Sequence, residues 1–429
     1  MKTIFEELER RSIIGQTTSN INVLYDNKCI RLYLGIDPTA SSLHVGHLVP
    51  LITLKRFMQY GHKPYILLGG ATAMIGDPSF KSSERQFIDP EMIKSHVGKI
   101  RKQVLDILYD DTISTTTEDN VEIVDNADWY STMNVLAFLR DVGKNITVSY
   151  MTSKESVKKR IETGISFTEF SYQLLQGYDF YHLYHDYGIV LQVGGDDQWG
   201  NMTTGIEFMR KKNISDVNVL TIQLLTKDDG SKFGKTDGGA VWLDSDKTSP
   251  YAFYQFWMSR TDTEVERYIK FFSMKDITDI ERLITDHHTN PSRRLLQREL
   301  AREMTILVHG EQEFLKIENV SNIIFNNGDF EKLLEVDNIV QILQNLPHIT
   351  IDRDAGGHNT TYYELFGDIL IPSFFSSKSD IKRSIEGKAV SVNKQRLTSL
   401  EEKVDEKIFL NDFLLVQNGK KKHIVVFFK

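Results

Sequence analysis

Short β-rich runs alternate with helix-period patterns from residue 30 to about residue 225, and this alternation restricts the possible folds more than any other feature of the chain. The runs fall at residues 30–36, 65–68, 121–124, 190–193 and 219–224, with helical patterns such as residues 93–108 between them. Strands that succeed one another in parallel need a long crossover, usually a helix, so the pattern predicts an α/β fold with a doubly wound parallel sheet covered by helices on both faces. Ligands of such sheets bind beyond the carboxyl ends of the strands, which is where Tyr33, Gly69-Gly70 and Gly194-Gly195 fall.

Two short segments that lie 188 residues apart add chemistry to this frame. The first, His44-Val45-Gly46-His47, follows the run at 30–36 and the turn Asp37-Pro38-Thr39-Ala40-Ser41-Ser42, so it marks a strand-to-helix transition. Residues 48–58 are apolar at helical spacing, and Pro50 suits only a first turn, which predicts a helix starting near His47. Both histidines then stand at a helix N-terminus, where free N–H groups and the positive end of the dipole favour phosphate and imidazoles can donate further hydrogen bonds. Gly46 leaves room for a nucleotide to come close.

The second segment, Lys232-Phe233-Gly234-Lys235-Thr236, lies in a stretch from Asp228 to Gly239 so rich in glycine and aspartate that it reads as a mobile loop. Two ammonium groups on such a loop can close on the β- and γ-phosphates of a nucleotide and open to release pyrophosphate. The end Gly234-Lys235-Thr236 matches a P-loop, but that pattern needs a glycine at position 229, where Asp229 stands. The two segments together read as a nucleotide triphosphate site.

The pair resembles the two signature sequences of class I aminoacyl-tRNA synthetases. Four longer motifs, Tyr33-Leu34-Gly35-Ile36-Asp37-Pro38-Thr39, Gly69-Gly70-Ala71-Thr72-Ala73-Met74-Ile75-Gly76-Asp77-Pro78, Thr163-Gly164-Ile165-Ser166-Phe167-Thr168-Glu169-Phe170-Ser171-Tyr172 and Gly194-Gly195-Asp196-Asp197-Gln198-Trp199-Gly200-Asn201, resemble the bacterial-type tyrosyl-tRNA synthetases. The likeness runs nearly end to end. It implies activation of L-tyrosine by ATP to tyrosyl-adenylate, with no covalent enzyme intermediate, and then transfer of tyrosine to the 3′ end of its tRNA.

By that resemblance Thr39, His44 and His47 contact the phosphates and ribose, while Lys232, Lys235 and Thr236 hold the departing pyrophosphate. Tyr33 and Asp179 face the phenol of the substrate, and Asp77, Tyr172 and Gln176, with Gln198, bind the rest of the amino acid. Gly35, Asp37, Gly46, Gly195 and Asp197 surround the adenylate, and Asp196 adds a second carboxylate beside Asp197. Independently of the family, Tyr172, Gln176 and Asp179 recur at helical spacing, which puts them on one helix face. Mg²⁺ is expected to accompany ATP, with no dedicated metal site. The resemblance also implies a homodimer, with Phe167 in the interface segment and tRNA crossing between subunits.

A chain of 429 residues predicts more than one domain. The expected organisation is a catalytic domain over 1–225, the lysine loop and a connection over 226–248, a helical domain over 249–326 and a partly ordered linker over 327–363. A small α+β RNA-binding module over 364–429, resembling a ribosomal small-subunit protein, completes it. The formal charge of −8 hides an asymmetry, because residues 378–429 carry 12 Lys+Arg against 7 Asp+Glu, a local +5 that leaves −13 elsewhere. Local basic patches hold nucleic acid, so Lys154, Arg210, Lys211, Lys212, Lys382, Arg383, Lys420, Lys421 and Lys422 are the candidate tRNA contacts. The single Cys29 excludes an internal disulfide and, with no apolar run of membrane-spanning length, fits a cytoplasmic protein.

Two rival readings meet specific obstacles. A tryptophan-charging relative would share the fold and both segments, but Tyr33 with Asp179 suits a phenol rather than an indole. A noncatalytic RNA-binding protein built on the C-terminal module would have no use for intact histidine and lysine segments.

Overall fold

The computed structural model describes residues 3–24, 29–79, 87–109, 121–162, 164–236, 239–325, 330–336, 339–344, 346–352, 360–405, 412–419 and 422–429. The chain forms two compact units, one made of Met1–Thr248 with Phe256–Val308 and the other of Ser249–Gln255 with His309–Lys429. The helical stretch 249–326 is shared between them. Among the described residues no helix is long and apolar enough to cross a membrane.

The first unit is built on a six-stranded sheet of β1 (Ile14–Thr17), β2 (Arg31–Ile36), β3 (Lys63–Leu68), β4 (Glu122–Asp125), β5 (Leu191–Gly195) and β6 (Asn218–Ile222), in the spatial order β1-β6-β5-β2-β3-β4. The five strands from β2 to β6 are parallel, as the sequence pattern predicts. β1 is an antiparallel edge strand on β6, an addition that four residues of mixed character do not announce. The chain runs outward from β2 through β3 to β4 and then crosses back to β5, so the order reverses between β2 and β5. The carboxyl ends of those two strands therefore flank the crevice in which such sheets bind ligands.

Helix Val45–Gln59 buries residues all round its circumference, including Leu48, Leu51, Ile52, Leu54 and Phe57. It packs on β3 and β5 of the sheet and on helices Pro90–Leu108 and Asp262–Phe272. A helix apolar on every side belongs between layers. On the other flank, helix Phe167–Tyr187 crosses helix Trp199–Lys211 at Gly177, where an added Cβ would come 3.4 Å from the backbone nitrogen of Gly205. This close crossing fixes the face that carries Tyr172, Gln176 and Asp179. A cluster of Tyr33, Tyr65, Leu67, Phe180, Leu183, Met202 and Val219 seals the sheet beneath it.

The stretch expected as an irregular loop contains a small antiparallel ribbon, β7 (Lys235–Thr236) with β8 (Gly239–Ala240). In the second unit β9 (His348–Ile351), β10 (Val390–Val392), β11 (Gln395–Arg396), β12 (Phe413–Asn418) and β13 (Lys422–Phe428) form a sheet in the order β11-β10-β12-β13-β9. Helices Tyr362–Ile369 and Lys378–Glu386 bury Leu365, Phe366, Ile381 and Ile385 in one cluster with Val390, Leu414, Val416, Ile424 and Val426 of that sheet. β9 comes from the stretch read as a linker and pairs in parallel with β13.

Candidate active site

Helix Val45–Gln59 begins two residues earlier than the sequence predicts, because His44 itself is the N-cap. Its Nδ1 accepts from the Gly46 N–H at 3.1 Å, while Nδ1 of His47 accepts from the His44 N–H at 3.1 Å. A neutral imidazole that accepts at Nδ1 carries its proton on Nε2, so both rings present an Nε2–H donor at a helix N-terminus. Burial, with His44 nearby, lowers His47 from its ordinary value to about 3, which keeps it neutral. The rings lie 4.0 Å apart. A Cβ on Gly46 would come 2.8 Å from Cε1 of His44, so this glycine makes room first for the His44 ring. The earlier start puts Pro50 inside the helix rather than in its first turn. Its missing N–H deletes only the ladder bond to the Gly46 carbonyl.

The lysine segment arrives at this same helix end. Residues 241–243 run antiparallel to 43–45, with Val45 N–H donating to the Val241 carbonyl at 2.9 Å and Leu243 N–H to the Leu43 carbonyl at 2.9 Å. Gly234, at a φ of +80° open to glycine, sits so close that a Cβ would lie 2.8 Å from Cγ2 of Val45 and 3.6 Å from the Gly46 nitrogen. Lys232 is exposed and its charge is felt at Asp197. The backbones of Lys235 and Thr236 form β7; their side chains lie outside the described part.

Beyond the ends of β2 and β5 the polar side chains form two connected networks. In the first, Asp37 accepts from Thr72 Oγ1 at 2.7 Å and from the Tyr172 hydroxyl at 2.8 Å. Asn126 Nδ2 donates to Thr72 at 3.0 Å and to Asp179 at 3.1 Å, and Trp129 Nε1 donates to the other oxygen of Asp179 at 3.0 Å. In the second, Asp77 accepts from Gln198 at 2.7 Å, from Asn201 at 3.2 Å and from the Ser79 N–H at 3.0 Å. Tyr172 feels the charges of Asp37, Asp77 and Asp179 together, so the networks line one pocket.

The pocket is acidic and incompletely satisfied. Burial raises Asp179 to about 7, against the hydrogen bonds that favour its charge. Burial, and Asp179 nearby, push the Tyr33 phenol well above its ordinary range. The Tyr33 hydroxyl and Gln176 Oε1 are buried without a hydrogen-bond partner among the described residues. Buried polar atoms left unpaired are costly, and two of them facing one pocket mark places for a polar ligand. Gly35, in the centre of the sheet, is exposed, and a Cβ there would meet nothing within 4 Å. Thr39 follows in the next turn, where its N–H donates to the Asp37 carbonyl at 2.8 Å. Gly195 is fixed by its neighbour, since a Cβ would come 2.6 Å from Oδ1 of Asp197.

A family model described as tRNA synthetases class I (W and Y) matches residues 25–326. The chain belongs to this family. The tyrosine–tRNA ligase of Bacteroides fragilis is 43% identical over 431 residues, covering 99% of each chain. That of Streptococcus agalactiae is 42% identical over 99% of this chain and all of its own. Among solved structures, a C-terminally truncated mitochondrial tyrosyl-tRNA synthetase of Aspergillus nidulans superposes with a TM-score of 0.67 at 30% identity, covering 76% of this chain and 95% of the other. As a class I synthetase the chain is an aminoacyl-tRNA ligase, and its parallel sheet with both signature segments at one crevice has the architecture that activity requires.

Other sequence-predicted residues of this synthetase are occupied elsewhere. Asp196 turns away from Asp197, accepting from Thr221 Oγ1 and lying against Gly15 of β1. Lys154 donates to Tyr150 Oη at 2.6 Å and Thr203 Oγ1 at 2.9 Å, and burial lowers it to about 8, so it is tied into the protein. Arg210 and Lys211 pair with Glu207, and Lys212 lies over Phe208 and Tyr181. Lys382 and Arg383 form exposed pairs with Glu386 and Asp380. Lys422 donates to the Phe374 carbonyl, and Lys420 and Lys421 lie outside the described residues. Sequence reasoning missed Asn126 and Trp129, which hold Asp179, and Trp242, which lies 6.0 Å from His44. No local pattern marks them, because their partners are 50 or more positions away in the chain.

Proposed function

We propose that this synthetase is a tyrosine–tRNA ligase, and the observation that carries the amino-acid choice is the buried, unpartnered Tyr33 hydroxyl coupled to Asp179. A substrate phenol can hydrogen-bond to both groups, whereas a phenylalanine ring would leave the Tyr33 hydroxyl unpaired in a buried site. The ammonium group of tyrosine enters the acidic pocket beside Asp77, Tyr172 and Gln176. Its carboxylate then points towards the open space over Gly35.

ATP lies across the crevice with its triphosphate between the N-terminus of helix Val45–Gln59 and the lysine segment. The tyrosine carboxylate oxygen attacks the α-phosphorus, a new P–O bond forms, and the bond to the β-phosphate oxygen breaks to release pyrophosphate. Thr39 and the Nε2–H donors of His44 and His47 stabilise the phosphoryl oxygens. Lys232, Lys235 and Thr236 take up the charge that develops on pyrophosphate. The terminal ribose hydroxyl of tRNA next attacks the acyl carbonyl, giving tyrosyl-tRNA and AMP. Asp37 and Asp179 are already engaged by protein donors, and Mg²⁺ arrives with ATP as part of that substrate.

The basic C-terminal module is assigned to tRNA, with Lys420 and Lys421 as phosphate contacts and with Lys382 and Arg383, whose exposed surface pairs are weak enough to exchange for phosphate, beside them. The chain works as a cytoplasmic homodimer. Helix Val135–Asp141 seats Phe138 on the cluster of Val142, Met151, Leu174 and Phe208. Val135, Leu136 and Leu139 remain 67%, 75% and 48% exposed, and Phe167 is 75% exposed. An apolar face of that kind calls for a partner. The deciding experiment is ATP–pyrophosphate exchange with single amino acids. Exchange driven by tyrosine alone is expected; exchange driven equally by phenylalanine, or only by tryptophan, overturns the assignment.

A further inference from the structure

Each signature segment is mounted on the N-terminal end of a helix, and the opposite ends of those two helices are held together by a buried arginine clamp. His44 and His47 stand at the start of helix Val45–Gln59. The stem of the lysine segment is fastened to the start of helix Asp262–Phe272. Thr261, the N-cap, donates to Asp228 at 2.5 Å, and Asp228 N–H donates to Glu264 at 3.2 Å. The Thr226 carbonyl accepts from the Tyr268 hydroxyl at 2.9 Å and from Arg267. Phe233, between the lysines, packs among Phe256, Trp257, Tyr268 and Phe272 at centroid distances of 5.6, 5.9, 4.9 and 5.4 Å. The lysine segment therefore moves with this helix.

At the far end, Arg56 in the last turn of helix Val45–Gln59 donates from Nη2 to the carbonyls of Phe271 at 2.7 Å and Ser273 at 2.8 Å. Arg11, paired with Glu7, donates to the carbonyls of Lys270 and Ser273 at 3.0 Å each. Both arginines are 2% exposed. They meet the last carbonyls of helix Asp262–Phe272, which carry the negative end of its dipole and lack intrahelical donors. Glu303 holds the same turn, accepting from Ser273 Oγ at 2.9 Å and from the Met274 N–H at 3.2 Å. Nε and Nη1 of Arg56 are buried without a partner among the described residues. A fold that needed only a filled core would not place an under-used guanidinium there.

We propose that Arg56 is a positioning residue for the adenylation step: by gripping the carbonyls of Phe271 and Ser273 it sets where the helix carrying the lysine segment lies relative to the helix carrying His44 and His47. It touches no substrate, and its influence reaches the phosphates only through Lys232 and Lys235. This rests on the assignment of those lysines to pyrophosphate above.

The test is a mutant cycle on the full chain. Arg56→Lys keeps the charge but loses the two-carbonyl grip, and a shift of about 1 Å in a catalytic group costs up to about 100-fold in rate. Arg56→Lys is therefore expected to lower kcat for tyrosine-dependent pyrophosphate exchange about 10- to 100-fold, with tyrosine Kd changed less than about two-fold. In a Lys232→Ala, Lys235→Ala background the same substitution is expected to cost less than about three-fold, because both groups it positions are gone. Glu303→Gln, which loosens the same turn more gently, should show the same non-additivity and carries the test if Arg56→Lys does not fold. An unchanged kcat, equal losses in both backgrounds, or a fall in tyrosine affinity that parallels the rate overturns the proposal. A wild-type chain without tyrosine-dependent exchange, or a Lys232→Ala, Lys235→Ala variant at full rate, refutes instead the underlying assignment.

Discussion

Gly234 and Val45 meet where the lysine and histidine segments converge, and the fit tolerates no side chain at position 234. Alanine there would carry both the strain of a positive φ and a Cβ 2.8 Å from Cγ2 of Val45. The segment can relieve the clash by lifting away from the helix N-terminus. Gly234→Ala is expected to slow pyrophosphate exchange about 10- to 100-fold while tyrosine binding and melting temperature stay close to wild type. Normal exchange kinetics would show that the contact has no part in catalysis.

Tyr33 and Asp179 give a prediction with two independent readouts. Removing the hydroxyl in Tyr33→Phe should erode the preference for tyrosine over phenylalanine in kcat/KM by about one to two orders of magnitude, the worth of about 1–3 kcal/mol for a buried unpaired group. Separately, Asp179 is raised by burial to about 7 in the folded chain. Its protonated form is the one the fold favours, so its contribution is complete below the unfolded carboxylate range and is lost as pH rises through about 7. In Asp179→Asn the fall in stability between about pH 4 and 7 should flatten by at most about 1.4 kcal/mol per pH unit. Identical pH–stability curves would place the titration elsewhere.

The parallel sheet was legible because its strands fall on apolar, β-branched runs, and Gly70 and Gly195 lie at carboxyl ends as expected, whereas Tyr33, expected there too, sits in the middle of β2 beside Tyr65 and Gln192. β1 has no such run, and β9 alternates for only one short stretch, His348-Ile349-Thr350-Ile351, within a segment of mixed character; pairing with the distant β6 and β13 makes them strands. The N-cap role of His44 was hidden because histidine is an unusual cap; its ring substitutes for the usual hydroxyl or carboxylate. Tyr172, Gln176 and Asp179 could be grouped by helical spacing, whereas Asn126, Trp129 and the Arg56 grip depend on tertiary contacts that no local rule reports.

His47 should behave as a neutral donor throughout the working range. Burial and the neighbouring His44 lower it to about 3, so the folded state favours the neutral ring. That contribution is complete above the unfolded histidine range near 6.5 and is lost as pH falls towards about 3. In a histidine-ring NMR titration the His47 signals should stay at their neutral positions down to about pH 4. A midpoint near 6 would mean that the ring meets phosphate as a cation, and the tautomer argument for its Nε2–H donor would fail.

The exposed face of Val135, Leu136 and Leu139 yields the remaining test. In a two-fold symmetric dimer one substitution is present twice, once from each subunit. Covering a leucine side chain is worth about 1.5–3 kcal/mol, so Leu136→Asp should weaken association by at least about 3–6 kcal/mol before the cost of burying the carboxylates is added. A dimer with nanomolar dissociation would then dissociate with a constant of about 0.1–20 µM, and the cost of burying two carboxylates pushes it further towards monomer at micromolar concentration. Leu136 is 75% exposed within the chain, so the substitution has little folded-state packing to disturb, and a folded monomer is the expected product. Analytical ultracentrifugation reads the outcome directly. A variant that sediments as a dimer at low micromolar concentration removes this face from the interface and leaves the segment around Phe167 to account for association.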